Sequence, residues 1–246
     1  MLVLGLETSG KYGSVALVRD GSVLLFDQHD EVNAHAERML PLVESVLKKA
    51  GCSRDDIDRV AVGTGPGNFT GLRVGISLSY GLGIGLGIQV VGVCSLAAIA
   101  QAARIPSSET ILVVRDARKD EFFGAAFDDA INCILEPCLI KRAELTHWIG
   151  NCARKYGPTG EPWTVAGDGL ESLDIAQLAL AGARIPENAV RLRPDARHVA
   201  FLGARCESSD WPLPAYIREV DAVMPSLSPN PVIDVQSFLK QQDSLD

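Results

Sequence analysis

Residues 2–30 read LVLGLETSGKYGSVALVRDGSVLLFDQHD, three short apolar runs at 2–7, 14–19 and 22–30 separated by a small polar loop and by Asp20-Gly21. An Asp-Gly pair between alternating apolar runs is the signature of a two-residue hairpin turn, because both central residues take positive φ there. Three antiparallel strands are therefore predicted. Asn33 then caps an amphipathic helix over His35–Ala50, with Met39, Leu40, Val43, Val46 and Leu47 on one stripe, Gly51 as its stop and Pro41 predicting a kink. Arg59–Thr64 reads as a buried strand that runs into a glycine-rich helix over 70–87. The order β-β-β-α-β-α differs from the strict strand-helix alternation of doubly wound sheets.

A weaker copy follows. Thr110–Arg115, Glu121–Phe127 and Asn132–Ile140 read as strands and Ala143–Gly150 as a helix, with Asp116 in the place that Glu7 holds in the first copy. The fold class is thus α/β with two β-β-β-α-β-α domains, the second degenerate. This order resembles the repeating half of actin, the heat-shock chaperone ATPases and the sugar kinases. A first domain over 1–106, completed by a helix at 195–208, a smaller second domain over 107–194 and a poorly ordered Pro/Ser-rich tail over 222–246 are expected. Between them, Trp163–Ala166 reads as a strand and Ser172–Ala181 as a helix.

The chain has 246 residues, 47% hydrophobic and 22% charged, which excludes disordered, collagen-like and coiled-coil classes. Its 23 basic and 31 acidic side chains give a net charge of −8. Proteins that grip phosphate backbones alone carry the opposite excess, so any nucleic acid is expected to be held through another protein's positive surface. Six cysteines without a C-x-x-C pair and four histidines without a zinc-type pair predict no metal and no cofactor. The first residues lack a basic export pattern, so a cytoplasmic location with free thiols is expected. Residues 74–103 carry no charge, but they hold six glycines and break into helix, strand and helix, so no membrane span is predicted.

Thr8, Ser9 and Gly10 open a loop that either cradles a phosphate on backbone N–H groups or is a plain polar turn. With Asp116 opposite, they form a candidate vestigial phosphate site. Gly63–Gly71 lacks the Gly-Lys-Ser/Thr ending of a P-loop and the third glycine of a dinucleotide fingerprint, which leaves a loop and a helix start. On the following helix, Gly71, Gly75, Ser79, Gly83 and Gly87 make a groove at i+4 spacing beside a ridge of Val74, Leu78, Leu82 and Leu86. Either a partner's helix or this chain's own sheet fills that groove, and the alternation in Gly81–Ile88 also allows a strand. No nucleophile elbow and no catalytic carboxylate pair occurs, so no catalytic residue is assigned. His35 opens its helix beside Glu37 as a base, a ligand or a packing residue.

The opening Gly5-Leu6-Glu7-Thr8-Ser9, the segment His35-Ala36-Glu37-Arg38-Met39-Leu40-Pro41, the run Gly65-Pro66-Gly67-Asn68-Phe69-Thr70-Gly71-Leu72-Arg73-Val74-Gly75, Asp116-Ala117-Arg118 and Pro214-Ala215-Tyr216-Ile217-Arg218 together resemble the TsaB (YeaZ) family. The resemblance implies an accessory subunit of bacterial tRNA threonylcarbamoyladenosine synthesis, paralogous to the catalytic TsaD. Where TsaD carries a metal-binding histidine pair, this chain has Val93–Ile99 with no histidine. The family's older glycoprotease label finds no nucleophile here. The implied role is a non-catalytic scaffold that binds a TsaD-type catalytic subunit, with a TsaE-type ATPase joining, a homodimer when alone, and tRNA reached only through the complex. The implied interface is the helix pair, with His35, Met39, Val43, Gly71, Gly75, Leu78, Ser79, Leu82, Gly83 and Leu86. The rival reading is an actin-like ATPase or phosphotransferase acting alone.

Overall fold

The computed structural model describes residues 1–32, 34–104, 110–157, 163–180, 183–207 and 210–217. The expected tail, the Asn33 cap and the boundary expected at 106 lie outside them.

β1 (Leu2–Glu7), β2 (Ser14–Arg19) and β3 (Ser22–Gln28) form the expected antiparallel meander, with Asp20 at φ 47° and Gly21 at φ 80° in the tight turn. α1 (His35–Ala50) continues through Pro41 and stops at Gly51, whose left-handed φ of 66° lets its N–H reach the carbonyls of Leu47 and Lys48. β4 (Arg59–Gly65) and β5 (Gln89–Cys94) add in parallel on the other side of β1, giving the order β3-β2-β1-β4-β5. Every residue of the central β1 is buried, as a strand covered on both faces requires. Between β4 and β5 the glycine-rich segment is a single helix, α2 (Phe69–Leu86), so the strand alternative for Gly81–Ile88 is not adopted.

α3 (Ser95–Ala103) leads to the second sheet, built from β6 (Thr110–Arg118), β7 (Glu121–Asp128), β8 (Cys133–Lys141), β9 (Trp163–Ala166) and the two-residue β10 (Ala183–Arg184). Its order, β10-β9-β6-β7-β8, repeats the first: a hairpin meander on one side and parallel strands on the other. Degeneracy shows in the short last strand and in α5 (Ile175–Leu180), which is shorter than the expected 172–181. α4 (Arg142–Tyr156) runs two turns past the expected end, with Leu145, Ile149 and Cys152 buried on one face.

Two layers cover the first sheet. α1 and α2 share one face, where Met39, Val43, Val46 and Ile76 meet Leu4, Leu6, Val15 and Val62. α6 (Ala196–Gly203) returns from the second half to the opposite face and packs Val199 and Ala200 on Val3, Ala61 and Val91. Gly5 and Gly203 permit that close approach, since a Cβ on either would collide with α6 or with Ala61. α3 is a wedge: Ala98 joins this layer, while Leu96, Ile99 and Ala100 join the core of the second sheet. Burying each leucine or isoleucine in these layers contributes roughly 1.5–3 kcal/mol.

Candidate functional site

The loop ends of the two sheets face each other across a cleft of about 1100 Å³. One wall is the β1–β2 loop and the start of α2, the other is Asp116–Arg118, Asp168 and Arg191–Arg197.

Glu7 ends β1 and is buried. Its carboxylate accepts the Ser9 N–H (2.5 Å) and the Ser95 hydroxyl (2.8 Å), and Ser95 Oγ accepts the Gly65 N–H (3.1 Å). Gly63 makes room for this long side chain, because a Cβ there would collide with Glu7 Oε2. Arg115, at the end of the apolar run of β6, crosses the cleft and is almost wholly buried. Its guanidinium donates to Ser9 Oγ (2.8 Å), to the Ser9 carbonyl (2.8 Å) and to the Pro66 carbonyl (2.8 Å). These loops therefore turn acceptors toward the cleft, and a cation from the opposite half satisfies them.

Of the two readings of this loop, a phosphate cradle or a plain polar turn, that arrangement fits the turn. Thr8 is fully buried, with Oγ1 turned under Gly75 of α2 and no hydrogen-bond partner. The N–H groups of Ser9 and Gly13 are taken by Glu7 and His29, and the Gly10 carbonyl stands 3.2 Å from His35 Nε2. Of the four residues expected there, only Asp116 is exposed; its N–H donates to Asp168 Oδ1 (3.0 Å) and its carboxylate accepts the Arg118 N–H (2.7 Å). Burial raises the Asp168 carboxyl above its ordinary value, against the lowering pull of Arg115 and Arg193.

Behind the loop lie two buried imidazoles. His29 Nε2 accepts the Gly13 N–H (2.7 Å) and stands 3.1 Å from His35 Nδ1. Burial pushes both below the ordinary histidine value, and for His29 the charge of His35 adds to it. Among the described residues no three His, Cys, Asp or Glu side chains gather into a metal-binding group.

The family described as "TsaD: tRNA N6-adenosine threonylcarbamoyltransferase" matches residues 30–203. The tRNA threonylcarbamoyladenosine biosynthesis protein TsaB of Escherichia coli strain K12 is 34% identical over 178 residues, 70% of this chain and 73% of that protein. The chain belongs to the TsaB family. Among solved structures, YeaZ from Pseudomonas aeruginosa is 28% identical with a TM-score of 0.63, covering 87% of this chain and 99% of that one. The ROK hexokinase of Thermus thermophilus, 12% identical with a TM-score of 0.51 over 83% of this chain and 98% of that one, shares the actin-like fold.

In this TsaB-family chain the interface expected on α1 and α2 needs correction. His35, Met39, Val43, Gly71, Gly75, Ser79 and Gly83 are all buried against the chain's own sheet and loop. A Cβ on Gly71 would strike the Thr8 carbonyl, one on Gly75 the Thr8 hydroxyl and one on Gly83 the Val90 side chain. The groove is filled by this chain because glycine lets the helix ride directly over β1 and β5. Leu78, Leu82 and Leu86 are half-buried beside it. The outward stripe is instead Ser77, Gly81, Ile84 and Gly85; Ile84 is 73% exposed, and a Cβ on Gly81 or Gly85 meets nothing within 4 Å.

Sequence reasoning did not single out Arg115, His29 or Asp168. A charge that ends the apolar run 110–114, and a Gly167-Asp168-Gly169 turn after a strand, were the available signals. Nothing local marks His29, which is paired only by tertiary contact.

Proposed function

We propose that this chain is the non-catalytic scaffold of a threonylcarbamoyl-transfer complex, binding a TsaD-type catalytic subunit through the outer face of α1 and α2 and holding it in its active conformation. A TsaE-type ATPase joins that complex, and tRNA is engaged by the assembly in the cytoplasm. Alone, the same face pairs two copies of this chain. The carrying observation is that α2 presents no charge from Val74 to Leu86, so its exposed stripe of Ser77, Gly81, Ile84 and Gly85 is an uncharged face of small residues around one exposed isoleucine. Small residues there let another helix approach closely. Among the described residues no helix is long and apolar enough to cross a membrane, so the stripe is not read as a lipid-facing span. The Ser9 and Pro66 carbonyls, which already take donors of the Arg115 guanidinium, weigh against the rival reading of an ATPase, whose phosphates would need free donors in that place.

The test is reconstitution with the catalytic subunit of the same cell. The chain alone should transfer no threonylcarbamoyl group to tRNA, and adding it should raise the catalytic subunit's rate. Ile84→Glu should keep the fold by circular dichroism yet abolish co-elution and the homodimer. Equal transfer with and without the chain, or normal co-elution of the variant, refutes the reading.

A further inference from the structure

Among the described residues few aromatic rings are exposed, and three of them, Tyr12 (44%), Phe69 (42%) and Tyr216 (46%), line one cleft. The Asn68 N–H donates to the Ser9 carbonyl (2.8 Å), which fixes the loop carrying Lys11 and Tyr12 beside the start of α2. Phe69 and Tyr216 lie with centroids 4.9 Å apart. The Arg73 guanidinium carbon lies over the Phe69 ring, 3.8 Å from its centroid, and its Nε donates to Tyr216 Oη (3.0 Å), which leaves its terminal NH₂ groups out of that bond. Tyr216 is itself held in place by its neighbour, since the Ala215 N–H donates to the Thr64 carbonyl (2.8 Å).

Charge singles out the same place. The chain as a whole carries −8, yet six Lys and Arg against four Asp and Glu line this cleft. Arg193 and Arg197 are paired with carboxylates of the cleft wall. Neither Lys11 nor Arg73 has a carboxylate partner among the described residues. Exposed rings with a guanidinium over one of them, and cations at the same rim that no carboxylate pairs, are what an unpaired nucleotide requires: a flat face for the base and a donor for the phosphate. An acidic protein surface would use the cations and leave the rings without purpose.

We propose that this rim, formed by Lys11, Tyr12, Phe69, Arg73 and Tyr216, contacts an unpaired RNA strand, stacking a base on the rings and taking adjacent phosphates on Lys11 and Arg73. The inference rests on the proposed tRNA-modifying role and adds to it a direct contact between this subunit and a single-stranded loop of the RNA. It is a weak contact by itself, because the rest of the surface repels phosphate.

The experiment uses the full chain alone and a fluorescein-labelled single-stranded RNA heptamer, read by anisotropy. Saturable binding is expected with a dissociation constant of about 10⁻⁴–10⁻⁶ M in dilute salt, weakening about sevenfold between 50 and 200 mM salt for two phosphate contacts. Tyr216→Ala with Phe69→Ala should weaken it at least about fivefold. Lys11→Ala with Arg73→Ala should flatten the salt dependence. Lys11→Ala and Tyr12→Ala alter exposed loop positions only, and each alone should also weaken binding. Unchanged affinity in these variants overturns the proposal. So does equal binding of AMP, which would make the rim a free-nucleotide site, or equal binding of a poly-glutamate heptamer, which would make it an acidic-protein site. If the RNA arm fails while the chain still co-elutes with the catalytic subunit, only this inference falls; if co-elution fails as well, the scaffold reading falls with it.

Discussion

The pair His29 and His35 shows how a single residue's surroundings decide its chemistry. Each is enclosed by the loop at Gly10–Gly13 and by Met39, and a Cβ on Gly13 would crowd both rings. The groups that face them are Glu7 toward His35, and Glu31 and Arg38 toward His29. The unfolded chain takes up protons on these imidazoles near the ordinary value of 6.5, whereas burial makes the folded pair resist them. Below that pH the unfolded state therefore binds more protons than the native state, and stability falls as pH falls. His198 acts in the same direction, through burial. The urea midpoint should decline as pH falls from about 6.5 to 5.5, above the ordinary carboxylate range. His29→Gln should reduce the slope; a midpoint that rises or stays level on acidification contradicts this account.

At the scale of the element, α2 carries two sets of glycines with opposite duties. Gly71, Gly75 and Gly83 are required by contact, because no side chain fits between the helix and the sheet beneath. Gly81 and Gly85 face open space and only weaken the isolated helix. Gly71→Ala should therefore cost about 1–3 kcal/mol by overpacking against the Thr8 backbone. Gly81→Ala should stabilise the monomer by about 0.5–1 kcal/mol, the ordinary helix gain. Urea unfolding of the two variants side by side checks both signs; a neutral Gly71→Ala would mean the helix can lift off its sheet. The helical net drawn from sequence found the i+4 row of glycines and left both of its possible occupants open. Which side of the helix the row faces follows from packing, which a net does not contain.

For the whole molecule, Arg115 is a buried polar tie between the two halves. It reaches from β6 to Ser9 and Pro66 of the first half, while α3 and α6 supply the apolar contacts. Arg115→Met would leave the Ser9 and Pro66 carbonyls without that donor, and one buried acceptor left unpaired costs about 1–3 kcal/mol. Expected results are a lower thermal midpoint and faster proteolytic cleavage between the halves, with each sheet's circular dichroism retained. An unchanged midpoint would mean that the helices alone hold the cleft.

The local code of the sequence determined the elements. Alternating apolar runs, the Asp20-Gly21 turn, the Gly51 stop and the repeated meander were enough for an α/β chain of two similar halves, because strand period, turn chemistry and helix caps act over a few residues. The Gly65–Arg73 run carried the family. Tertiary structure alone decided the site. Arg115 meets Ser9 across 106 positions of sequence, and Ser95 meets Glu7 across 88. The loop that could have presented N–H groups or been a plain turn points the Ser9 and Pro66 carbonyls at Arg115, and the groove that a partner or this chain's own sheet could have filled is filled by this chain. Hydrogen bonds and close packing between distant segments set those orientations, and no periodicity within one segment encodes them.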